Sequence, residues 1–346
     1  MDTTKRNLRK FVAGGLVTLF ASTLLSIFLM PFLFMVMTAF KNYEQLSLEN
    51  APIWPAMPVT YTYEGKEYPL YEKPQELGGG QWALVKKGQK ESYLVDTANP
   101  QAGPVKWQGR WRTLQPVLRF APAWDNIGKV LTKINFLQLL FNTFMIALLG
   151  MIGTLLSCTV VAYGFSRFRM PGKSILLMLL ISTIFLPQSI TLVPTYAIFA
   201  KIGWVGTWLP LIVPHFFANA YNVFLLRQYF MTIPRELDEA AMIDGAGPMR
   251  TLISIILPQA WGILIAVGIF HFVWAWNDFF APYIYLSTKP NLQPISVGMQ
   301  AFNSIYAGQP QLLQMTSLMG LLVPVTLFFI ARRVMMREVV TTGIHK

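Results

Sequence analysis

The chain has 346 residues, 54% of them hydrophobic and only 13% charged, with a formal net charge of +12. Uncharged runs of thirty residues are foreign to a soluble core, so the composition points away from a water-soluble enzyme and toward a membrane protein. The basic balance does not indicate nucleic acid, because the cations stand at the ends of apolar runs rather than in one stripe.

Phe11 to Phe40 is the first uncharged run. It is far longer than the ~7–15-residue apolar region of a cleavable signal peptide, and no small-residue cleavage site closes it, so it is expected to stay as a span. Met30-Pro31 lies inside it and favours a kink. Residues 41–125 follow as the one large polar insert. Within it, Tyr61–Glu64 and Glu67–Leu70 flank Gly65-Lys66, and Trp82–Val85 and Ser92–Val95 flank a Lys-rich turn at Gly88. Val105–Gln108 and Trp111–Leu114 flank Gly109-Arg110. Short aromatic and β-branched runs around glycine turns predict hairpins, and a module of about five or six strands. Gly78-Gly79-Gly80 and Asn99-Pro100 read as breaks between them.

Five more uncharged runs follow: Ile134–Ser166, Ser174–Ala200, Ile202–Leu226, Thr251–Asn277 and Pro290–Ala331. Each is long enough for the ~20-residue helix that crosses a ~30 Å hydrocarbon layer. The expected fold class is all-α integral membrane, with six transmembrane helices and an extracytoplasmic β-rich insert between helices 1 and 2. The expected division is 1–40 (cytoplasmic N-terminus and helix 1), 41–125 (insert) and 126–346 (helices 2–6, with an inner loop at about 228–255). Lys5, Arg6, Arg9 and Lys10 precede the first span, and Arg167, Arg169 and Lys173 separate the second and third. Arg227, Arg235 and Arg250 lie between the fourth and fifth, and Arg332, Arg333, Arg337 and Lys346 follow the sixth. With six spans all four clusters fall on one side, and cations favour the cytoplasmic side. Both termini are therefore expected inside a multi-pass cell-membrane protein.

The inner loop between the fourth and fifth spans carries the most specific signal. Thr232-Ile233-Pro234 opens a helix, Glu236, Asp238 and Glu239 sit where the helix dipole favours acids, and Gly245 ends it. Ile233, Leu237, Ala240, Ala241 and Asp244 recur at helical spacing as one small-to-apolar face. So short and charged a helix neither crosses a bilayer nor stands alone, and docking into a groove on another protein would stabilise it. From physics alone an ordinary amphipathic connector is the alternative.

Glu239-Ala240-Ala241, Asp244-Gly245 and Ile256-Leu257-Pro258 resemble the EAA loop of ABC-transporter permeases of binding-protein-dependent carbohydrate importers. Ala162–Lys173, Leu186–Pro194, Phe224–Phe230 and Trp276–Phe279 also look like that family, and Thr341–Lys346 resembles in part the tail of the smaller permease subunit of maltose-type importers. The resemblance covers residues 126–346 and extends to the first span; the insert is larger than that subunit type implies. It implies that Arg235, Glu236, Glu239, Ala240, Ala241, Asp244, Gly245 and Pro258 couple the chain to an ATPase. It also implies a second permease subunit as heterodimer partner, two ATPase subunits, an extracytoplasmic solute-binding protein, a sugar substrate and surrounding lipid. The chain itself would hydrolyse nothing and hold no cofactor, ATP and Mg being bound by the ATPase.

Other signals carry less. Pro171-Gly172-Lys173-Ser174 lacks the leading glycine of a phosphate loop, that position being Arg167. His215 and His271 lie in different spans without further ligands at metal spacing, and read as packing or path-facing histidines. The single cysteine, Cys158, rules out an internal disulfide. Asp278 is the only acid near a span, whereas ion-coupled carriers use buried ionisable groups. The spans offer instead Asn142, Gln188, Asn219, Asn222 and Asn277, with Trp274, Trp276 and Tyr283. Gln188, Asn219, Asn222, Trp274, Asn277 and Asp278 are the expected path residues for a neutral, hydroxyl-rich solute. An interfacial belt for the aromatics and interhelical hydrogen bonding for the asparagines remain alternatives. A permease for another polar solute, a secondary carrier and a membrane sensor with the insert as its reader are the competing functions.

Overall fold

The computed structural model describes residues 2–48, 51–72, 80–88, 90–109, 111–303 and 308–342, with backbone alone for residues 2–10, 188–189 and 333–342. The chain divides into two compact units, residues 1–130 with 302–318 and residues 131–301 with 319–346.

The first unit begins with α1 (Asp2–Ala39), which runs on through Pro31. From Phe11 to Phe34 every residue is exposed. An apolar surface of that extent calls for lipid or another chain to cover it. Hydrogen bonds fasten the end of the helix: the Asn126 amide donates to Ala39 O and Lys41 O at 2.8 and 2.9 Å. Lys41 Nζ donates to Pro52 O at 2.8 Å, and Phe40 meets Trp124 edge to face at 4.8 Å.

Among the described residues eight strands follow: β1 (Ala56–Pro58), β2 (Thr60–Tyr63), β3 (Lys66–Glu72), β4 (Gln81–Lys86), β5 (Glu91–Asp96), β6 (Val105–Gln108), β7 (Gln115–Pro116) and β8 (Leu118–Phe120). The antiparallel order is β2-β3-β4-β5-β6, with β7 also on β3, and β1 pairs β8 as a separate ribbon. The β2–β3 hairpin turns on Glu64 and Gly65, both at positive φ, as a two-residue hairpin turn requires. That is one residue earlier than the sequence spacing suggests. Tyr71, Trp82, Leu84, Leu94, Trp107 and Leu114 form the core of this unit.

The third expected hairpin does not form. Trp111–Thr113 is a 3₁₀ turn, and β6 pairs β5 instead, with Ser92 opposite Trp107. The Trp107 ring lies so close to Gly109 that a Cβ there would sit 2.3 Å from it. The next strands, β7 and β8, join β3 and β1. Asn99-Pro100 is a break as expected, with Pro100–Ala102 in a 3₁₀ turn. Of the Gly78–Gly80 break, residues 78 and 79 lie outside the described residues.

Beyond α2 (Asp125–Lys133), the second unit comprises α3 (Phe136–Arg167), α4 (Lys173–Ser182), α5 (Gln188–Lys201), α6 (Ala220–Thr232), α7 (Glu236–Ile243), α8 (Trp261–Asn277) and α9 (Phe280–Tyr285), and it takes in the later part of α10 (Pro310–Thr342). α3 packs against both α6 and α8. Their shared core contains Cys158, Ala162, Tyr163, Val223, Leu226, Phe230, Leu252, Ile256, Ala260 and Val267. Asn142 is part of the scaffold: its amide donates to Asn291 O and Gln293 O at 2.9 Å, and its oxygen accepts from Gln138 at 2.9 Å.

Among the described residues four helical segments are long and apolar enough to cross a membrane, or six if each of two bent pairs counts as one span. The expected boundaries change at three places. Ser174–Ala200 is a bent pair, Lys173–Phe185 and Ile190–Lys201, at 99°. Pro187 forces the preceding Leu186 into an extended conformation (ψ 115°), which breaks the helix. The fourth apolar segment starts at Leu209 rather than Ile202, because Ile202 to Trp208 are turns. The last starts at Pro310 rather than Pro290; residues 290–302 are short turns.

The fifth run is also bent. Pro248–Gln259 and Trp261–Asn277 meet at 83°, with Ala260 non-helical between them. The ring of Pro258 crowds the carbonyl of Ser254, four residues earlier, and the backbone there is wound wider, as a π-helical stretch over Leu252–Ile256.

Candidate functional site

α7 is an eight-residue helix with Glu236, Asp238 and Glu239 in its first turn. Arg235 stands at its N-cap, and its carbonyl accepts from Asp238 N and Glu239 N. Gly245 N donates to Met242 O and Ala246 N to Ala241 O, the reciprocal pair of a Schellman cap. That cap needs a left-handed residue, and Gly245 supplies it at φ 74°.

The faces of α7 differ from the sequence expectation. Asp238 and Ala241 are buried and Leu237 is partly buried against the α3–α6–α8 core, whereas Ala240 and Asp244 are exposed. Asp238 Oδ2 lies 3.1 Å from Nε of Arg167, the last residue of α3, with both side chains under a tenth exposed. The contact is a charge contact rather than an aligned hydrogen bond. The guanidinium also donates through Nη2 to Ile233 O at 3.0 Å. The outward face carries Met242 and Ile243, at 66 and 86% exposure, beside Glu236, Glu239 and Ala240, and Met249 in the segment that follows is also exposed. A cleft of about 230 Å³ opens here between Tyr163, Arg167, Arg235, Glu239, Met242 and Thr251. Pro258 is exposed beyond it.

Two cavities lie among the helices of the same unit. One, of about 410 Å³, is lined by His215, Asn219, Tyr221, Asn222, Phe270, His271 and Trp274. The other, of about 210 Å³, includes Thr191, Thr195, His215, Trp274, Asp278 and Tyr285. The His215 and His271 rings are 4.5 Å apart, and each is 5.7 Å from the Trp274 ring. Thr154 Oγ1 holds His271 Nδ1 at 3.2 Å. Gly150 lets the pair sit close to α3: a Cβ there would be 3.0 Å from His271 Nε2.

The expected path residues have different surroundings. Gln188 opens α5, and its side chain lies outside the described residues. Asn219 caps α6 by accepting from Asn222 N at 3.0 Å. Asn222 and Trp274 line the larger cavity, and Asp278 the smaller. Asp278 follows α8 as its C-cap residue, and its carbonyl accepts from Ser296 Oγ at 2.6 Å. Asn277 bonds within its own helix, to Val273 O at 2.7 Å, and lines neither cavity. Trp276 stacks on Phe272, and Tyr283 on Phe279. Lys173 of the phosphate-loop-like motif donates to Phe168 O at 3.0 Å. The Arg167–Asp238 contact and the His215–His271 pair are absent from the sequence reading. The helical offset of Asp238 and Ala241, three residues apart, was its one trace of the first.

Residues 167–337 match the family model of the binding-protein-dependent transport system inner membrane component. The permease protein GgtD for uptake of osmoprotective compounds in Synechocystis sp. is 26% identical over 268 residues, covering 76% of this chain and 87% of its own length. UgpE of Yersinia enterocolitica, from the sn-glycerol-3-phosphate transport system, is 30% identical over 225 residues, covering 63% of this chain and 79% of its own. The chain belongs to this permease family. In fold the permease is similar to a crystal structure of a bacterial ABC transporter involved in alginate import, with a TM-score of 0.61 at 17% identity, covering 94% of this chain and 96% of that one. The permease is thus a multi-pass membrane component of an ATP-driven importer and no enzyme. Family membership brings a partner ATPase, a solute-binding protein and a second permease.

Proposed function

We propose that this permease forms half of the path of an importer for a neutral sugar or polyol, through alternating access. In this reading it has six spans and both termini in the cytoplasm, which the cation clusters at the span ends support. Residues 41–125 lie outside, and residues 126–346 form the permease core. Its partner permease is a related but different chain, and lipid covers the exposed face of α1. Two ATPase subunits bind ATP and Mg inside, and one of them grips α7 through Arg235, Glu236, Glu239, Ala240, Asp244 and Gly245, with Pro258 at the rim and Ala241 buried on the inner side.

The observation that carries this reading is the two-sidedness of α7. Its inner side is seated on α3 through Arg167–Asp238 and on the core through Leu237, while its outer side exposes Met242 and Ile243. A short helix held this way moves as a rigid lever, so closure of the ATPase pair would reach α3, α6 and α8. The substrate class rests on the lining of the cavities. Among the described residues that line them, none is Lys or Arg. Glycerol 3-phosphate, the solute in the name of UgpE, carries a phosphate that calls for such cations. Neutral hydroxyl-rich solutes do not.

A mild-detergent pull-down of the tagged chain from its native cell, with partners identified by mass, tests the assembly. An ATPase and a second permease are expected. The chain alone, in detergent shown to preserve such complexes, would overturn the reading.

A further inference from the structure

We infer that Trp274, His215 and Asn222, walled by His271, form a solute subsite that takes one ring of a neutral carbohydrate; this rests on the reading of the chain as a sugar permease. The cavity they line, about 410 Å³, falls in the ~300–1,000 Å³ range of ligand pockets. Its polar groups are unusually free. Asn222 is only 7% exposed and His215 is half-buried, whereas His271 Nε2 is turned to Gly150 of α3, so His271 serves as wall rather than as a ligand. Among the described residues neither the Asn222 amide nor the His215 ring makes a hydrogen bond. Buried polar groups are nearly always bonded, so the contents of the cavity are left to satisfy these.

The chemistry of the set is specific. A neutral imidazole presents one donor and one acceptor, and an amide presents both. Vicinal hydroxyls answer both kinds of group. Trp274 adds a flat ring, about half exposed, beside both histidines at 5.7 Å. The apolar C–H face of a pyranose matches such a ring. Asn219 is excluded from the subsite because its oxygen caps α6. His215 and Trp274 also line the second cavity, which holds Thr195, Asp278 and Tyr285. A solute moving from one cavity to the other therefore passes these two side chains.

The test uses the complete importer, with binding protein, ATPase and both permeases, in proteoliposomes containing ATP. The probes are ¹⁴C-labelled maltose, sucrose and trehalose, with ¹⁴C-sn-glycerol 3-phosphate as the anionic comparison. For the sugar transported by the wild type, Trp274→Ala and His215→Ala are expected to raise the KM of uptake about ten-fold, the loss of roughly one stack or hydrogen bond. Trp274→Phe, which keeps a stacking face, is expected to stay within about three-fold. His215 is half-buried and unbonded, so its alanine variant serves even if Trp274→Ala does not assemble. Unchanged KM in His215→Ala and in whichever Trp274 variant assembles, with ATPase still co-purifying, overturns the subsite and leaves the sugar permease standing. A wild type that carries only the phosphate ester, or no probe at all, overturns the sugar reading itself.

Discussion

The contact between Arg167 and Asp238 joins the C-terminal end of α3 to α7, and its loss has a calculable effect. Replacing Asp238 by Ala leaves a guanidinium that is only 6% exposed, with one hydrogen bond, to Ile233 O. Stranding a buried charge in this way costs about 3–5 kcal/mol. At about 1.4 kcal/mol per ten-fold, even the lower figure shifts the seated-to-detached equilibrium of α7 by more than a hundred-fold. An eight-residue helix has no stability of its own to set against that. Uptake by Asp238→Ala proteoliposomes should therefore collapse, with a lowered melting temperature for the purified complex. The double variant Arg167→Met with Asp238→Leu removes both charges at similar volume and should recover much of the stability. The decisive quantity is the coupling energy of the two-residue cycle. Single losses that simply add in the double variant, or wild-type uptake by Asp238→Ala, would refute the idea that the pair seats the helix.

Three further outcomes are expected. Gly245→Pro, which cannot adopt the +74° φ of the cap, and Glu239→Lys, which reverses an exposed charge, should each lose ATP-coupled uptake while the chain still inserts; normal transport in both would remove the coupling role of α7. Asn142→Leu deletes the bonds to Asn291 O and Gln293 O, so it should cost about 1–3 kcal/mol, the net worth of two hydrogen bonds, seen as an earlier thermal unfolding of the complex; an unchanged midpoint would contradict it. Deletion of Tyr61–Leu114 leaves β1 and β8 to pair through Pro58 and Leu118, so insertion should survive while delivery by the binding protein falls; unchanged uptake would reduce the sheet to decoration.

Local chemistry was the part of this fold most readable from the chain. Uncharged runs mark apolar helices because a bilayer tolerates no exposed backbone there. Gly65 and Gly245 mark turns because few residues accept positive φ, though the hairpin turns on Glu64-Gly65 rather than on the Gly65-Lys66 the spacing suggests. Directions were not readable. A run such as Ser174–Ala200 has the right length and polarity for a straight span, and only the geometry at Leu186–Pro187 turns it through 99°. Burial of charge was hidden for a related reason. Asp238 reads as one of three dipole-friendly acids, and nothing in the chain order places it beside a residue 71 positions earlier. The expected solute residues suffered most, since an asparagine in a span serves a cap, a scaffold or a path equally well. Asn219, Asn142 and Asn222 exemplify the three, the last by proposal.

α7 turns Asp238 inward to Arg167 of α3 and carries methionine and isoleucine outward among its exposed acids. Ionic strength acts on exposed charges and hardly on buried ones. The part of a docked subunit's contact made by Met242 and Ile243 should thus withstand a salt wash of the membranes, the part made by Glu236 and Glu239 should weaken in it, and both should yield to urea, which solvates apolar and peptide surface alike. Preparations stripped with chaotrope would then contain permease with α7 bare, and those washed only with salt would retain what the apolar contact holds.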